Sequence, residues 1–293
     1  MVPGDGYRGI TWGECDRVSP MISIAAITPR GSQGEIDAGA MFELIDYLCG
    51  ALKGRSGGIV LFDAAGEYPA LNPADRSRVL RLAVKRSRVP VIAGVGSATL
   101  DLSLKLAREA RDAGAEALFL PPPYFYPYQQ DEVREFYLQF IAHLDGCPVY
   151  LEHLPAFTTG IAPETARVLL SGGRFAGIVD SAGDHADAVV ADDRRFSETR
   201  CAGRAVVSAA ACAVPELVVA LDSAIRAHRE EDACRLNSRL QEFVGWADCF
   251  PPFALVRATV GLRGLKTGPA VMPLPSEKQK KMSEFKEWFG AWK

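Results

Sequence analysis

The sequence predicts an α/β fold in which eight parallel strands alternate with helices and close into a (β/α)8 TIM barrel, with additional helices at the C-terminal end. Short apolar runs alternate with helix-period segments from about residue 21 to residue 208. Turn and capping residues such as Thr28-Pro29, Asn72-Pro73 and Gly114 punctuate that alternation. The 293 residues suffice for one such barrel and a set of terminal helices.

The elements follow in order. Met21 to Ile27 is an unbroken apolar run, as a strand buried on both faces requires, and Thr28-Pro29 closes it. Met41, Leu44, Ile45 and Leu48 then recur at helical spacing, and Gly57-Gly58 opens a second strand that reaches Phe62. Asn72 reads as a helix cap with Pro73 in the first turn, and Val79, Leu80 and Ala83 form that helix's buried face. Pro90 to Ala93 is the third strand. Thr99 starts a helix with Leu106, Ala107 and Ala110 on one side and Gly114 at its end. Residues 117–120 and 148–151 are strands four and five, separated by a helix from about Glu132 to Leu144. A helix begins at Pro163-Glu164, and residues 175–179 make strand six.

Strands seven and eight are read at residues 188–191 and 205–208, and there the pattern falters. Only Asp180 to Asp187 separate strands six and seven, whereas a parallel crossover takes about a dozen residues or more, usually as a helix. Either the sixth helix is missing and the barrel is thin there, or strand seven lies elsewhere. Helices follow at about 215–228, 230–246 and 253–262, and a last amphipathic one sets Met282, Phe285, Phe289 and Trp292 on one face. The domain reading is an extension over residues 1–20, the barrel over 21–228, and a helical region over 229–293 packed on it.

Hydrophobic residues make up 48% and charged residues 24%, enough for a sizeable core. A net charge of −3 with no basic stripe argues against nucleic acid, and no apolar run approaches the roughly 20 residues of a membrane helix. Residues 1–19 mix acids, bases and glycines, unlike a signal peptide. The seven cysteines are odd in number, scattered and never spaced C-x-x-C. They read as reduced thiols of a cytoplasmic protein, with neither a zinc site nor another cofactor expected.

Ile27-Thr28-Pro29 with Ile36-Asp37, Gly66-Glu67 with Leu71, and Pro90 to Gly96 are the first of an ordered series of short motifs. Pro123-Tyr124 with Gln129 or Gln130, Leu151 to Pro155, Gly177-Ile178 with Asp180-Ser181 and Gly183-Asp184, and Asp192-Asp193 through Pro215-Glu216 continue it. In this order, from about residue 21 to 276, they resemble the dihydrodipicolinate synthase/N-acetylneuraminate lyase family. The resemblance implies a (β/α)8 barrel, a homodimer or homotetramer, and pyruvate-type Schiff-base chemistry on a small oxo or hydroxy acid. It also implies a lysine where this chain has Val179, a strand-five tyrosine where it has Glu152, and two threonines where it has Ala64 and Ala65. A second tyrosine is replaced by Phe125, and the arginine that grips a substrate carboxylate by Phe157.

The residues argue the same departure by themselves. A Schiff base needs a neutral amine at the C-terminal end of a barrel strand, and no lysine lies between Lys105 and Lys266. Lys53, Lys85 and Lys105 fall on or at the ends of predicted helices. By strand alternation Glu152 takes the inward place of the family's tyrosine, and matching the chain to the family makes it the only acid expected inside the barrel, beside Ala64, Ala65 and Val179. Desolvation there raises a carboxyl pKa and suits it to acid/base work; the alternative is a carboxylate satisfied by backbone or water with no chemistry.

Asp63, His153 and Asp180 are further polar groups at strand ends and bring a metal site to mind, but alternation turns His153 and Asp180 outward, against it. Ser208, at the end of strand eight, is a further pocket-lining candidate. Tyr124 and Phe125 read as packing or a subunit contact, Glu67 as a loop pin, and His143, His185 and His228 as surface residues. Two classes of function stay open: a lyase or hydro-lyase acting on a small oxo or hydroxy acid through Glu152 without the lysine, and a non-catalytic ligand-binding or scaffold protein. A polar, convergent mouth would favour the first, and an apolar, collapsed one the second.

Overall fold

The computed structural model describes residues 21–292, so the expected extension over residues 1–20 lies outside the described residues. Eight strands close into a barrel in sequence order: β1 (Ile22–Ala25), β2 (Gly57–Leu61), β3 (Val91–Gly94), β4 (Ala117–Leu120), β5 (Val149–His153), β6 (Gly177–Asp180), β7 (Val189–Val190) and β8 (Val206–Ser208). All pairs are parallel, and closure sets Ile22 opposite Val206 and Ile24 opposite Ser208. The strands are apolar on both faces because one face meets helices and the other meets the barrel axis. Ile24, Leu118 and Leu151 pack outward under the helices, while Ala25, Val60, Ile92, Phe119, Tyr150 and Val179 form the axial core.

Five helices cover the outside between β1 and β6: α1 (Ala38–Ala51), α2 (Pro73–Arg86), α3 (Leu100–Ala113), α4 (Gln130–Ala142) and α5 (Pro163–Ser171). Their starts follow local chemistry. Asp37 accepts from the Ala40 N–H at 3.0 Å, Asn72 from the Ala74 N–H at 2.9 Å and Thr99 from the Leu102 N–H at 3.4 Å. Gly114, at φ 90°, closes α3 in the left-handed conformation.

Strand seven lies where the sequence placed it, although only two residues pair, and residues 181–188 contain no helix. Asp180 organises this connection by accepting from the N–H groups of Ala182, Gly183 and His185 at 2.7, 3.0 and 2.8 Å. The sequence reading missed α6 (Phe196–Cys201), a helix of six residues between β7 and β8. After β8 come α7 (Ala210–Ala213), α8 (Pro215–Arg226), α9 (Glu230–Ala247), α10 (Ala254–Leu262) and α11 (Ser276–Trp292). Met282, Phe285 and Phe289 of α11 are buried, and Phe243 of α9 faces both phenylalanines with ring centroids 6.4 Å apart.

Candidate active site

Glu152 sits on β5 with Tyr150, both turned to the barrel axis, opposite Val179 of β6. Its side chain is 3% exposed, and its Oε2 atom has no hydrogen-bond partner among the described residues. Burial first, and the nearby Asp63 carboxyl second, push its pKa well above the ordinary carboxylate range.

Asp63 corrects the expectation of a single interior acid. The chain leaves β2 through Phe62 at φ 61°, a left-handed turn that a bulky side chain rarely adopts, and carries Asp63 into the protein at 5% exposure. Its carboxylate accepts from the Gly66 N–H at 3.2 Å. Burial outweighs this help and raises its pKa from 3.8 to about 7. The turn also explains Gly94 at the end of β3, where a Cβ would stand 2.1 Å from the Phe62 carbonyl oxygen. Strand alternation says nothing about a residue beyond a strand end, so the pairing with Glu152 escaped the sequence reading. The Asp-x-x-Gly spacing of Asp63 and Gly66 was the available signal for a side chain that holds its own turn.

The other candidates divide. Ala64, Tyr124 and Phe125 line a cleft of about 490 Å³ at the mouth, and Phe125 is 83% exposed with φ 90°. Ala65 and Val179 belong to the axial core and do not line that cleft. Ser208 does not line it either: its hydroxyl donates to Asp193 and accepts from the Ala211 N–H at 2.9 Å, which ties β8 to α7.

His153 and Asp180 point away from the axis. The Nδ1 atom of His153 accepts from the Ile161 N–H at 2.9 Å, which leaves Nε2–H to donate to Asp184 at 2.9 Å. His185, read from sequence as a surface residue, is half-buried against the His153 ring at 4.7 Å and donates to the Ile161 carbonyl. These side chains pin the β6–β7 connection. Among the described residues no three His, Cys, Asp or Glu side chains converge as a metal site would need.

Aromatic and aliphatic side chains, among them Tyr68, Leu154, Phe157, Phe253 and Met272, complete the cleft. Its charged members, Glu67 and Arg257, form an ion pair with each other. Phe253 sits at φ 60° just before α10, touching both the cleft and the axial core. Glu152 therefore lies under an apolar cover and does not reach the cleft surface. None of the eight strands carries a lysine; Lys85 is on α2, Lys105 on α3, and Lys53 just beyond α1.

A parallel eight-stranded barrel with buried carboxyls at the C-terminal strand ends is the architecture of barrel enzymes, whose chemistry resides at that end. The chain belongs to the dihydrodipicolinate synthetase family, whose model matches residues 19–290. It is 33% identical over 235 residues to an uncharacterized DapA-like lyase of Halobacterium salinarum, covering 74% of this chain and 76% of that protein. It is 27% identical over 285 residues to a 4-hydroxy-tetrahydrodipicolinate synthase of Alkaliphilus oremlandii, covering 90% and 97%. A solved dihydrodipicolinate synthase of Bacillus anthracis superposes with a TM-score of 0.81 at 24% identity, covering 92% of this chain and 97% of that one, and shares the fold.

Proposed function

We propose that this chain is a divergent member of a lyase family that works without a Schiff base, using Glu152 and Asp63 as an acid/base pair on a small oxo or hydroxy compound. The observation that carries this reading is the pair itself. Asp63, with its pKa at about 7, lies close enough to push the buried Glu152 carboxyl, already raised by burial, further above its usual range. The upward shift favours the protonated form of Glu152, which can donate to a carbonyl or leaving hydroxyl oxygen. Asp63 is partly ionised near neutrality and can accept a proton. An unpartnered buried carboxyl is costly, and catalytic use is a common reason for such a group.

The missing lysine is tested by incubation with pyruvate and borohydride, which should leave the protein mass unchanged. An adduct mapped to any lysine would overturn the Schiff-base-free reading. The pair is tested in Glu152→Gln, which should keep the fold and lose about two to four orders of magnitude in turnover. Ligand screening by thermal shift on both forms supplies the substrate for that measurement.

A second reading, a non-catalytic ligand-binding or scaffold protein, is favoured by the apolar cover over Glu152; equal ligand shifts in the native and Glu152→Gln proteins would select it. We also propose a homodimer or homotetramer, since Phe125 and Tyr126 expose apolar rings at 83% and 63%. Light scattering that reports 31.6 kDa at working concentration would refute it. Six free cysteines among the described residues support a reducing, cytoplasmic setting.

A further inference from the structure

Among the described residues, the walls of the mouth cleft carry no cation free to meet an anion. Of its two charged members, Arg257 is bound to Glu67 and also donates to the carbonyls of Thr28 at 3.0 Å and Thr267 at 2.6 Å. Arg76, behind Tyr68, donates to the carbonyls of Gly94 and Gly96 at 2.9 and 3.0 Å; its Nε has no partner among the described residues, but the residue does not line the cleft. Below the floor stand Glu152 and Asp63, which gain negative charge as they ionise. A ligand carboxylate placed here would lose its water and find no counter-charge on the described walls, and both oppose binding.

The same walls suit an apolar body. Tyr68 and Tyr124 meet edge to face at 5.7 Å, and Phe157 and Phe253 lie 6.2 Å apart across the opening. The volume of about 490 Å³ falls within the usual span of small-molecule sites. Glu67, Phe125 and Phe253 all line it at positive φ, 54°, 90° and 60°. Non-glycine residues rarely hold that conformation, and they gather at ligand clamps.

We infer that the ligand of this cleft is an uncharged, largely apolar carbonyl compound, bound by its hydrocarbon or aromatic part, with its oxygen directed down toward the carboxyl pair. This departs from the oxo or hydroxy acid implied by resemblance. It rests on the acid/base reading only for the direction of the oxygen; the ligand class follows from the walls. The carboxyl of Glu152, whose Oε2 is unpartnered among the described residues, is the group toward which such an oxygen would point.

The test uses two probes that share a phenyl ketone and differ in a carboxylate, acetophenone and benzoylformate, titrated into the full-length protein by ligand-observed NMR at neutral pH. Acetophenone should bind at least ten-fold more tightly than benzoylformate. Phe157→Arg, on a side chain 46% exposed and so tolerant of the change, should narrow or reverse that ratio by supplying the cation. Ala64→Trp, which fills the cleft, should abolish acetophenone binding while Phe157→Arg serves as the folded control. Benzoylformate binding as tightly as acetophenone in the native protein would overturn the inference, as would no binding of either, or acetophenone binding that survives Ala64→Trp in a folded protein. These are binding ratios, measured without turnover. A failure of the acid/base reading would show instead as unchanged turnover in Glu152→Gln, so the two failures are separable.

Discussion

Between β1 and β5 every crossover carries a helix of 13 or 14 residues, whereas residues 181–188 join β6 to β7 with none and α6 has only six. The first half is held by apolar burial under full helices: Leu44, Leu48, Val79, Leu106 and Phe140 are all buried there. The second half has less helix to bury and relies on polar clamps. Asp180 gathers three N–H groups, Arg204 donates to the Ala186 carbonyl at 2.7 Å, and Arg200 of α6 grips Asp222 of α8. Where a crossover is too short to cover a strand with hydrocarbon, directional bonds to backbone and buried charge take over the closure.

The largest expected effect breaks that second half. Arg200 meets Asp222 through two nitrogens at 2.7 and 2.6 Å, with both side chains almost fully buried, and Arg200 also donates to the Arg204 carbonyl at 2.8 Å. Arg200→Ala strands a buried carboxylate and should cost about 3–5 kcal/mol in urea unfolding. Replacing both partners by apolar residues, Arg200→Met with Asp222→Leu, should recover most of the loss. A cost below about 1 kcal/mol for the single change would mean that the clamps do not hold this half.

The two halves also differ in how legible they were. Continuous apolar runs and capping residues such as Asn72 and Thr99 mark β1 to β5 and their helices, because burial under full crossovers imposes long periodic patterns. Glu152 was legible for the same reason: a strand's alternation determines which way it points. Asp63 was not, since a positive φ at Phe62 directs it. Nor was Phe253, which reaches the mouth from a segment about a hundred residues downstream of Glu152. α6 escaped because six residues are too few to show a helical period, and the seventh strand showed as a bare pair of valines.

The next effect compares carboxyls of opposite behaviour. Asp63, in the first half, has a folded pKa of about 7 against 3.8 when exposed, so between these values the native state binds more protons than the unfolded one. Stability from this group is therefore highest below pH 4, falls as pH rises toward 7, and then levels. Each pKa unit is worth about 1.4 kcal/mol, so the fall is expected to be a few kcal/mol at most. Asp63→Asn should flatten the decline in chemical denaturation between pH 4 and 7, and Glu152→Gln should reduce a decline of the same sign. An unchanged slope in Asp63→Asn would show that this carboxyl is better solvated than its burial implies.

Asp180, in the second half, has the opposite sign. Burial works against its ionisation, but the N–H groups of Ala182, His185 and Gly183 outweigh it and hold its pKa below the ordinary value. Its contribution is present above the unfolded pKa of 3.8 and is lost as pH falls below it. Asp180→Ala should cost about 1.5–3 kcal/mol at neutral pH, the scale of hydrogen bonds to a charged group. The same change should raise amide exchange across residues 181–188 before it affects β1 to β5. Equal exchange in both halves would dissolve the comparison.

The smallest effect is a control drawn from the first half. Asn72 caps α2 by accepting from the Ala74 N–H at 2.9 Å, with Pro73 preset for the first turn. Asn72→Ala should cost about 1 kcal/mol, and Asn72→Gly only a few tenths, because glycine leaves the terminal N–H groups open to water. The cost stays small because α2 is also held by Val79, Leu80 and Ala83 in the core, and by Arg76, whose guanidinium bridges to the Gly94 and Gly96 carbonyls at the end of β3. A lost cap there frays one turn of a helix that the barrel still holds. The connection that Asp180 organises contains no helix, and polar pins hold it besides Asp180: His153 to Asp184, His185 to the Ile161 carbonyl and Arg204 to the Ala186 carbonyl. The comparison thus turns on a ratio: Asp180→Ala should cost more than Asn72→Ala under the same conditions. If Asn72→Ala proved the costlier, the first half would depend on its local caps and not on burial under its helices.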